Sequence, residues 1–225
     1  MLTVRLKKLA SLIEPHHNVA DIGTDHAYLP IHLAKSGHSR AIIATDVAKG
    51  PLSKASANII RLGLAERISL RMGNGLEPIK PGEVDTVIIA GMGGLLICDI
   101  MQSGITVLEK CNTILLQPMT TPYILREFLN NNGYIIEDEV LVKEGFRIYS
   151  IMKVCKGTQI IEDPLYYYVS KPMIQNGGVL LYEYVGRIRR EFEKIAKNLL
   201  KSCDKQESMD WYLSMIKKLK TIEGD

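Results

Sequence analysis

The chain has 225 residues, 28 Lys and Arg against 25 Asp and Glu, and 46% hydrophobic residues. That length holds one large domain, or a medium α/β domain with a small appendage, and the composition excludes a largely disordered chain. A formal charge of +3 is too small to identify a nucleic-acid binder by itself, so the distribution of charge has to decide. Four cysteines, Cys98, Cys111, Cys155 and Cys203, lie far apart with no CxxC pair, which argues against a disulfide framework or a zinc site and for reduced thiols. Residues 1–8 carry positive charges with no apolar stretch behind them, and the most apolar run, 87–98, is short and broken by Gly91, Gly93 and Gly94. Neither a secretory signal nor a membrane span is expected, and the expected location is cytoplasmic.

In chain order, apolar spacing predicts a helix over Val4–Ile13, ended at Pro15. A strand follows at Asn18–Ile22, then the turn Gly23-Thr24-Asp25 and a helix through Ser36. The apolar run Ala41–Asp46 is a second strand, with a helix over Pro51–Leu62 stopped by Gly63. A third strand at Arg67–Met72, a fourth at Asp85–Ala90, a helix over Gly94–Glu109, a fifth strand at Thr113–Gln117 and a helix over Thr121–Asn131 continue the alternation. Strands apolar on both faces that alternate with helices predict an α/β, Rossmann-like parallel sheet covered on both sides. Two period-two segments, Tyr134–Lys143 and Phe146–Val154, predict an antiparallel hairpin at the sheet edge. Five β/α units closed by such a hairpin is the layout of class I methyltransferases.

Beyond Lys156 the pattern changes. Val179, Tyr182, Val185, Ile188, Phe192, Ile195 and Leu199 recur at three- and four-residue spacing, and Trp211, Tyr212, Met215, Ile216 and Leu219 repeat the habit. Two helices joined near Asp204-Lys205-Gln206 make an all-α helical hairpin of coiled-coil type. The expected division is 1–157 for the sheet domain and 158–225 for the hairpin.

Ligands of open α/β sheets bind at the carboxyl ends of the strands. The first strand leads into Asp21-Ile22-Gly23-Thr24-Asp25-His26-Ala27. A pyrophosphate wants G-x-G-x-x-G, but only Gly23 fits that pattern, and Asp25 stands at the second glycine position. A carboxylate facing two phosphates is repulsive, whereas a sulfonium and an α-amino group are cationic. Asp21 and Asp25 therefore suit S-adenosyl-L-methionine. Asp46 with Val47 closes the second strand, about 20 residues on, where an acid binds ribose hydroxyls. The loop Gly73-Asn74-Gly75 after the third strand allows close approach and offers an amide to adenine. Ala90-Gly91-Met92-Gly93-Gly94 ends the fourth strand and Leu116-Gln117-Pro118 the fifth.

The segments Asp21–Pro30, Ala90–Gly94 and Leu116–Pro118, together with the terminal helical hairpin, resemble the bacterial tRNA (adenine-22-N1)-methyltransferase family over nearly the whole chain. The resemblance implies a class I fold, S-adenosylmethionine as donor, and N1 of an adenine in the D-arm region of tRNA as acceptor. It implies cofactor contacts at Asp21, Gly23, Asp46, Asn74 and Gly91, to which the reading of the strand ends adds Thr24, Val47, Gly73, Gly75 and Met92. Adenine N1 is nucleophilic without deprotonation, so the expected catalytic residues are acceptors and stacking groups: Asp25 and Gln117 near the developing charge, His26 and Tyr28 against the base.

Between residues 187 and 205 seven bases stand against three acids. Arg187, Arg189, Arg190, Lys194, Lys197 and Lys201 are the expected tRNA contacts. A metal is not expected, and a monomer is. The alternative is a methyltransferase for another RNA, a small molecule or a protein, with the helical hairpin as an oligomerisation element.

Overall fold

The computed structural model describes residues 2–200 and 206–224. Seven strands form one sheet in the order β3-β2-β1-β4-β5-β7-β6. The strands are β1 (Val19–Ile22), β2 (Ile42–Asp46), β3 (Ile68–Met72), β4 (Thr86–Gly93), β5 (Thr113–Thr120), β6 (Tyr134–Glu144) and β7 (Arg147–Lys156). The first five pair in parallel, and β7 runs antiparallel to both β5 and β6. The strand order reverses between β1 and β4, which places the ligand crevice at the carboxyl ends of β1 and β4.

Helices cover both faces. α1 (Val4–Ser11), α2 (Tyr28–Ser36) and α3 (Lys49–Arg61) belong to one side, where Leu9, Ile13, Leu33 and Ile59 pack against Val19, Ile42 and Ile88. α4 (Gly94–Ser103), α5 (Ile105–Leu108) and α6 (Pro122–Asn131) cover the other, where Ile97, Met101, Leu125 and Leu129 meet Ile22, Val87, Ile89 and Leu116. Each of β1, β4 and β5 is buried on both faces, as the unbroken apolar runs require.

The expected single helix over Gly94–Glu109 is two helices. The break falls at Gly104, where a Cβ would stand 2.3 Å from Leu76 Cδ1; the loop after β3 is wedged against the helix there, and only glycine leaves it room. Two short helices were not expected: α7 (Leu165–Tyr168) and α8 (Lys171–Asn176). They lead from the sheet to the long pair α9 (Val179–Leu199) and α10 (Gln206–Glu223). The link between that pair, and with it Lys201, Cys203 and the expected joint at 204–205, lies outside the described residues. Leu165, Val169, Met173, Val185, Phe192, Met215 and Leu219 form a third apolar cluster among these C-terminal helices.

This cluster is fastened to the sheet by an ion pair with no solvent exposure, Arg126 of α6 with Glu139 of β6 at 2.7 Å. Arg126 Nη1 also donates to the carbonyls of Tyr167 (2.7 Å) and Tyr168 (3.0 Å), and Ser150 Oγ donates to Glu139. The charges are out of water, yet each has several partners, which is the condition under which a buried pair is tolerated.

Among the described residues, Cys98, Cys111 and Cys155 are free thiols, and no group of His, Cys, Asp or Glu is placed to hold a metal. No helix among them is long and apolar enough to cross a membrane.

Candidate functional site

The carboxyl ends of β1 and β4 border a cavity of about 370 Å³, lined by Arg5, Asp21, Gly23–Leu29, Ala90 and Gly91 among others. The loop from β1 into α2 is set by two left-handed residues, Gly23 (φ +77°) and Ala27 (φ +55°). At Gly23 the positive φ is unfavourable for other residues, and a Cβ would also have to displace the Met92 methyl, 2.1 Å away.

The amides of Gly23 and Thr24 both donate to the carbonyl of Thr45, at 2.9 and 2.8 Å. A phosphate-binding turn needs such amides free and aimed at the ligand. Here they tie β1 to β2, so neither of these two amides is available to a pyrophosphate.

What the cavity offers is a pair of opposite charges. Asp21 is buried, and burial lifts its pKa to about 6, against the opposing pull of a hydrogen bond from Thr24 and the nearby Arg5 charge. Arg5, from α1, lines the same cavity. Its guanidinium hydrogen-bonds Gln117 Oε1 and lies 5.6 Å from the Tyr149 ring centroid. Its buried Nε–H has no acceptor among the described residues. An amino-acid ligand carries an ammonium and a carboxylate together, and a buried acid beside an arginine with an unused donor matches that zwitterion. The donor set thus fits the methionine end of S-adenosylmethionine.

Arg5 was invisible to the sequence reading. It sits in an ordinary amphipathic helix, and nothing local links it to Gln117, more than a hundred residues away.

Asp25 is 69% exposed and lies 3.3 Å from His26 Nε2. The His26 ring stacks on Tyr28 at 5.2 Å and 24°, and Tyr28 is half exposed. Asp25, His26 and Tyr28 therefore come together on the open rim of the cavity.

Gln117 is the fourth of the expected catalytic residues. It is fully buried, its Oε1 accepts from Arg5 and from the Gly91 amide (3.2 Å), and its Nε2 donates to the Pro118 carbonyl. Its Nε2 also lies 3.6 Å from Met119 Sδ, so the amide is engaged within the protein. Gln117 instead holds Arg5 and pins Gly91, where β4 bulges against β5 between Ala90 and Met92 and φ is +81°.

At the neighbouring strand ends, Asp46 Oδ1 accepts from the Ala48 amide at 2.8 Å, and Val47 is 68% exposed. The Asn74 amide donates to Glu77 Oε2 at 3.2 Å, closing its own exposed turn. Gly73 and Gly75 are tightly packed: a Cβ would meet Pro78 Cδ at 2.8 Å or Ile100 Cγ2 at 3.1 Å.

On α9, two of the expected tRNA contacts are engaged within the protein. Arg189 is bound by Glu223 of α10 at 2.6 Å and by Glu193 at 2.8 Å, which makes it a tie between the two helices. Arg187 pairs with Glu183 at 2.6 Å. Arg190, Lys194 and Lys197 are exposed.

Comparison with known proteins agrees with this geometry. Residues 2–152 match the family model described as a methyltransferase domain. The tRNA (adenine(22)-N(1))-methyltransferase of Bacillus subtilis is 38% identical over 151 residues, a match that spans 67% of this chain and 63%, just under two thirds, of that relative. The crystal structure of the B. subtilis m1A22 tRNA methyltransferase TrmK superposes with a TM-score of 0.90 at 28% identity, over 99% of each chain. A Streptococcus pneumoniae structure in complex with S-adenosyl-L-methionine superposes with a TM-score of 0.86 at 28% identity, over 99% of this chain and 100% of that one. A sheet with its order reversed between β1 and β4, an acid-lined crevice at that point and a family match over its first two thirds lead to one conclusion: the chain belongs to the methyltransferase-domain family.

Proposed function

We propose that this protein uses S-adenosyl-L-methionine to methylate N1 of an adenine in tRNA, position 22 in the D-arm region, yielding 1-methyladenosine. The observation that carries the donor is the buried Asp21 beside Arg5, in a turn whose first amides are already engaged. The acceptor rests on the relatives named above and on the exposed bases of α9. When bound, the donor supplies an electrophilic methyl group on a cationic sulfur.

The protein's residues have positioning work to do. Asp21 holds the donor's ammonium, and Arg5 takes its carboxylate through the Nε–H that lacks a partner. Asp46, with one carboxylate oxygen turned to Ala48, presents the other to the ribose hydroxyls. Val47 and the Gly73–Gly75 loop flank the adenine of the donor, and Gly91 and Met92 border its methyl end.

Because the N1 lone pair lies in the ring plane, no general base is required for attack, and alignment alone supplies up to ~7–11 kcal/mol. N1 is on the Watson–Crick edge, so the acceptor must be unpaired or extruded. The His26–Tyr28 stack offers it a platform, and the Asp25 carboxylate is placed to favour the positive charge that develops on the base.

The helical part beyond residue 157 is read as the RNA-binding part, and a monomer in the cytoplasm is the expected working form. Replacing Arg190, Lys194 and Lys197 together by alanine is expected to lower tRNA affinity and to flatten the slope of log K against log salt. The flattening should reach about 0.7–0.9 for every phosphate that is no longer neutralised. Cofactor binding should be untouched. An unchanged slope removes α9 from the RNA interface.

For the ribose contact, Asp46→Ala is expected to weaken donor binding by about 10- to 150-fold, the value of hydrogen bonds to a charged group. Wild-type affinity in a calorimetric titration contradicts that role. The reaction itself is tested by incubating the protein with unmodified tRNA and methyl-labelled donor. One 1-methyladenosine per tRNA, identified by mass and mapped by a primer-extension stop in the D-arm region, is expected. Label on another base, or none, overturns the proposal.

A further inference from the structure

A second cavity, about 450 Å³, opens between the end of β5, the β6–β7 hairpin and the C-terminal helices. The function proposed above makes no use of it. Six of its sixteen lining residues are aromatic. Tyr123 stacks on Tyr168 at 5.1 Å and 13°, and Tyr168 meets the edge of Phe192 at 5.0 Å. Phe192 in turn meets Tyr212 at 5.2 Å. These rings support one another and leave the outermost, Tyr123, 36% exposed at the mouth.

The cavity adjoins the cofactor site through a single layer of side chains. Tyr149 lines it and carries on its ring the Arg5 guanidinium that lines the other cavity. Pro118 and Tyr123 follow Gln117 directly along β5 and into α6. On α9, Ile188, Glu191 and Phe192 line the cleft; Arg190 and Lys194 are exposed but, at 100° per residue, point away from that face. Stacked rings inside a concave site are the element that holds an unpaired base of a single-stranded nucleic acid.

We propose that this cleft receives a second unpaired base of the RNA substrate, a neighbour of the one that is methylated, with Tyr123 as its stacking platform. The proposal rests on the RNA substrate argued above. Such a pocket would read the loop around the acceptor and fix the RNA register, which phosphate contacts alone do loosely.

The test is equilibrium binding of tRNA transcripts in which each unpaired D-arm nucleotide is made abasic in turn, against the wild-type protein, Tyr123→Ala and Tyr123→Phe. Tyr123→Ala is expected to weaken binding of intact tRNA by about 5- to 100-fold, the effect of losing one stacked base, while Tyr123→Phe stays close to wild type. One abasic position should reproduce the loss with wild-type protein and add nothing further with Tyr123→Ala. In turnover, KM for tRNA should rise more than kcat falls.

Wild-type affinity for Tyr123→Ala overturns the proposal, and so do losses that add independently at every abasic position. Should Tyr123→Ala misfold, the abasic series with wild-type protein decides: no position sensitive to base removal, apart from the methylated one, overturns it. Base-dependent binding without methylation would leave the cleft standing and remove the reaction proposed above, whereas methylation without any Tyr123 dependence would do the reverse.

Discussion

Asp21→Asn is expected to weaken donor binding on the order of 100-fold or more while making the unliganded protein more stable. The carboxylate is buried, and its pKa of about 6 lies some two units above that of an exposed aspartate. At neutral pH the folded state therefore carries an ionised group that burial disfavours, at a cost of ~3 kcal/mol by the linkage between pKa and stability. The sign is fixed by proton uptake: between pH 4 and 6 the folded chain holds more protons at this site than the unfolded one, so stability falls as pH rises through that window. The cost is absent below about pH 4 and complete above about 6.

Asparagine removes the charge and keeps the shape, so the melting temperature should rise by several degrees, at 2–4 °C per kcal/mol for a chain of this size. Affinity for the donor should drop on the order of 100-fold or more, since a cationic ligand loses its buried counter-charge. For the wild type, donor affinity should fall about tenfold per pH unit below 6 and level off above it, with a proton released on binding near pH 6. Calorimetry in two buffers of different ionisation enthalpy reads that proton. A pH-independent affinity between 5 and 8, or an Asp21→Asn protein that binds normally, contradicts the role given to Asp21.

Arg126→Ala should have the largest effect on stability. It strands the Glu139 carboxylate in the interior and leaves the Tyr167 and Tyr168 carbonyls without their donor. Breaking one side of such a pair costs about 3–5 kcal/mol, or roughly 6–20 °C in melting temperature. Replacing both partners, Arg126→Met with Glu139→Leu, should recover much of that loss, because no lone charge remains. Equal instability of the single and double variants would show that the pair is not the source.

The same reasoning bears on the boundary near residue 157. A chain cut there loses the Tyr167 and Tyr168 carbonyls and the Tyr184 hydroxyl that face Arg126. The truncated sheet domain should therefore melt well below the full chain.

Much of this architecture is legible in the sequence because its strands are short apolar runs that end in acids or glycines. The parallel sheet follows from the α/β alternation, and the 134–156 hairpin follows from its period of two. The Gly104 break was hidden because the wedge, Leu76, comes from a distant loop. α7 and α8 were hidden because four- and six-residue helices, one preceded by Pro164 and the other carrying Pro172 in its first turn, show no periodicity.

At the site, the acids Asp21, Asp25 and Asp46 could be placed at the strand ends from local pattern alone. The partners could not. Whether Gln117 is free to meet a base depends on Arg5, and whether Arg189 is free to meet a phosphate depends on Glu223 on another helix. Sequence specifies the residue type at a position, but the unused hydrogen-bonding capacity of that residue is settled only in three dimensions.

The central claim is that paired charges, rather than free loop amides, define the ligand at the end of β1. Side-by-side calorimetric titration of the wild-type protein at pH 7.5 with S-adenosyl-L-methionine and with a nicotinamide dinucleotide tests it most directly. S-adenosyl-L-methionine should bind at one site and the dinucleotide should give no heat of binding. A saturable isotherm for the dinucleotide that S-adenosyl-L-methionine fails to displace would contradict the account.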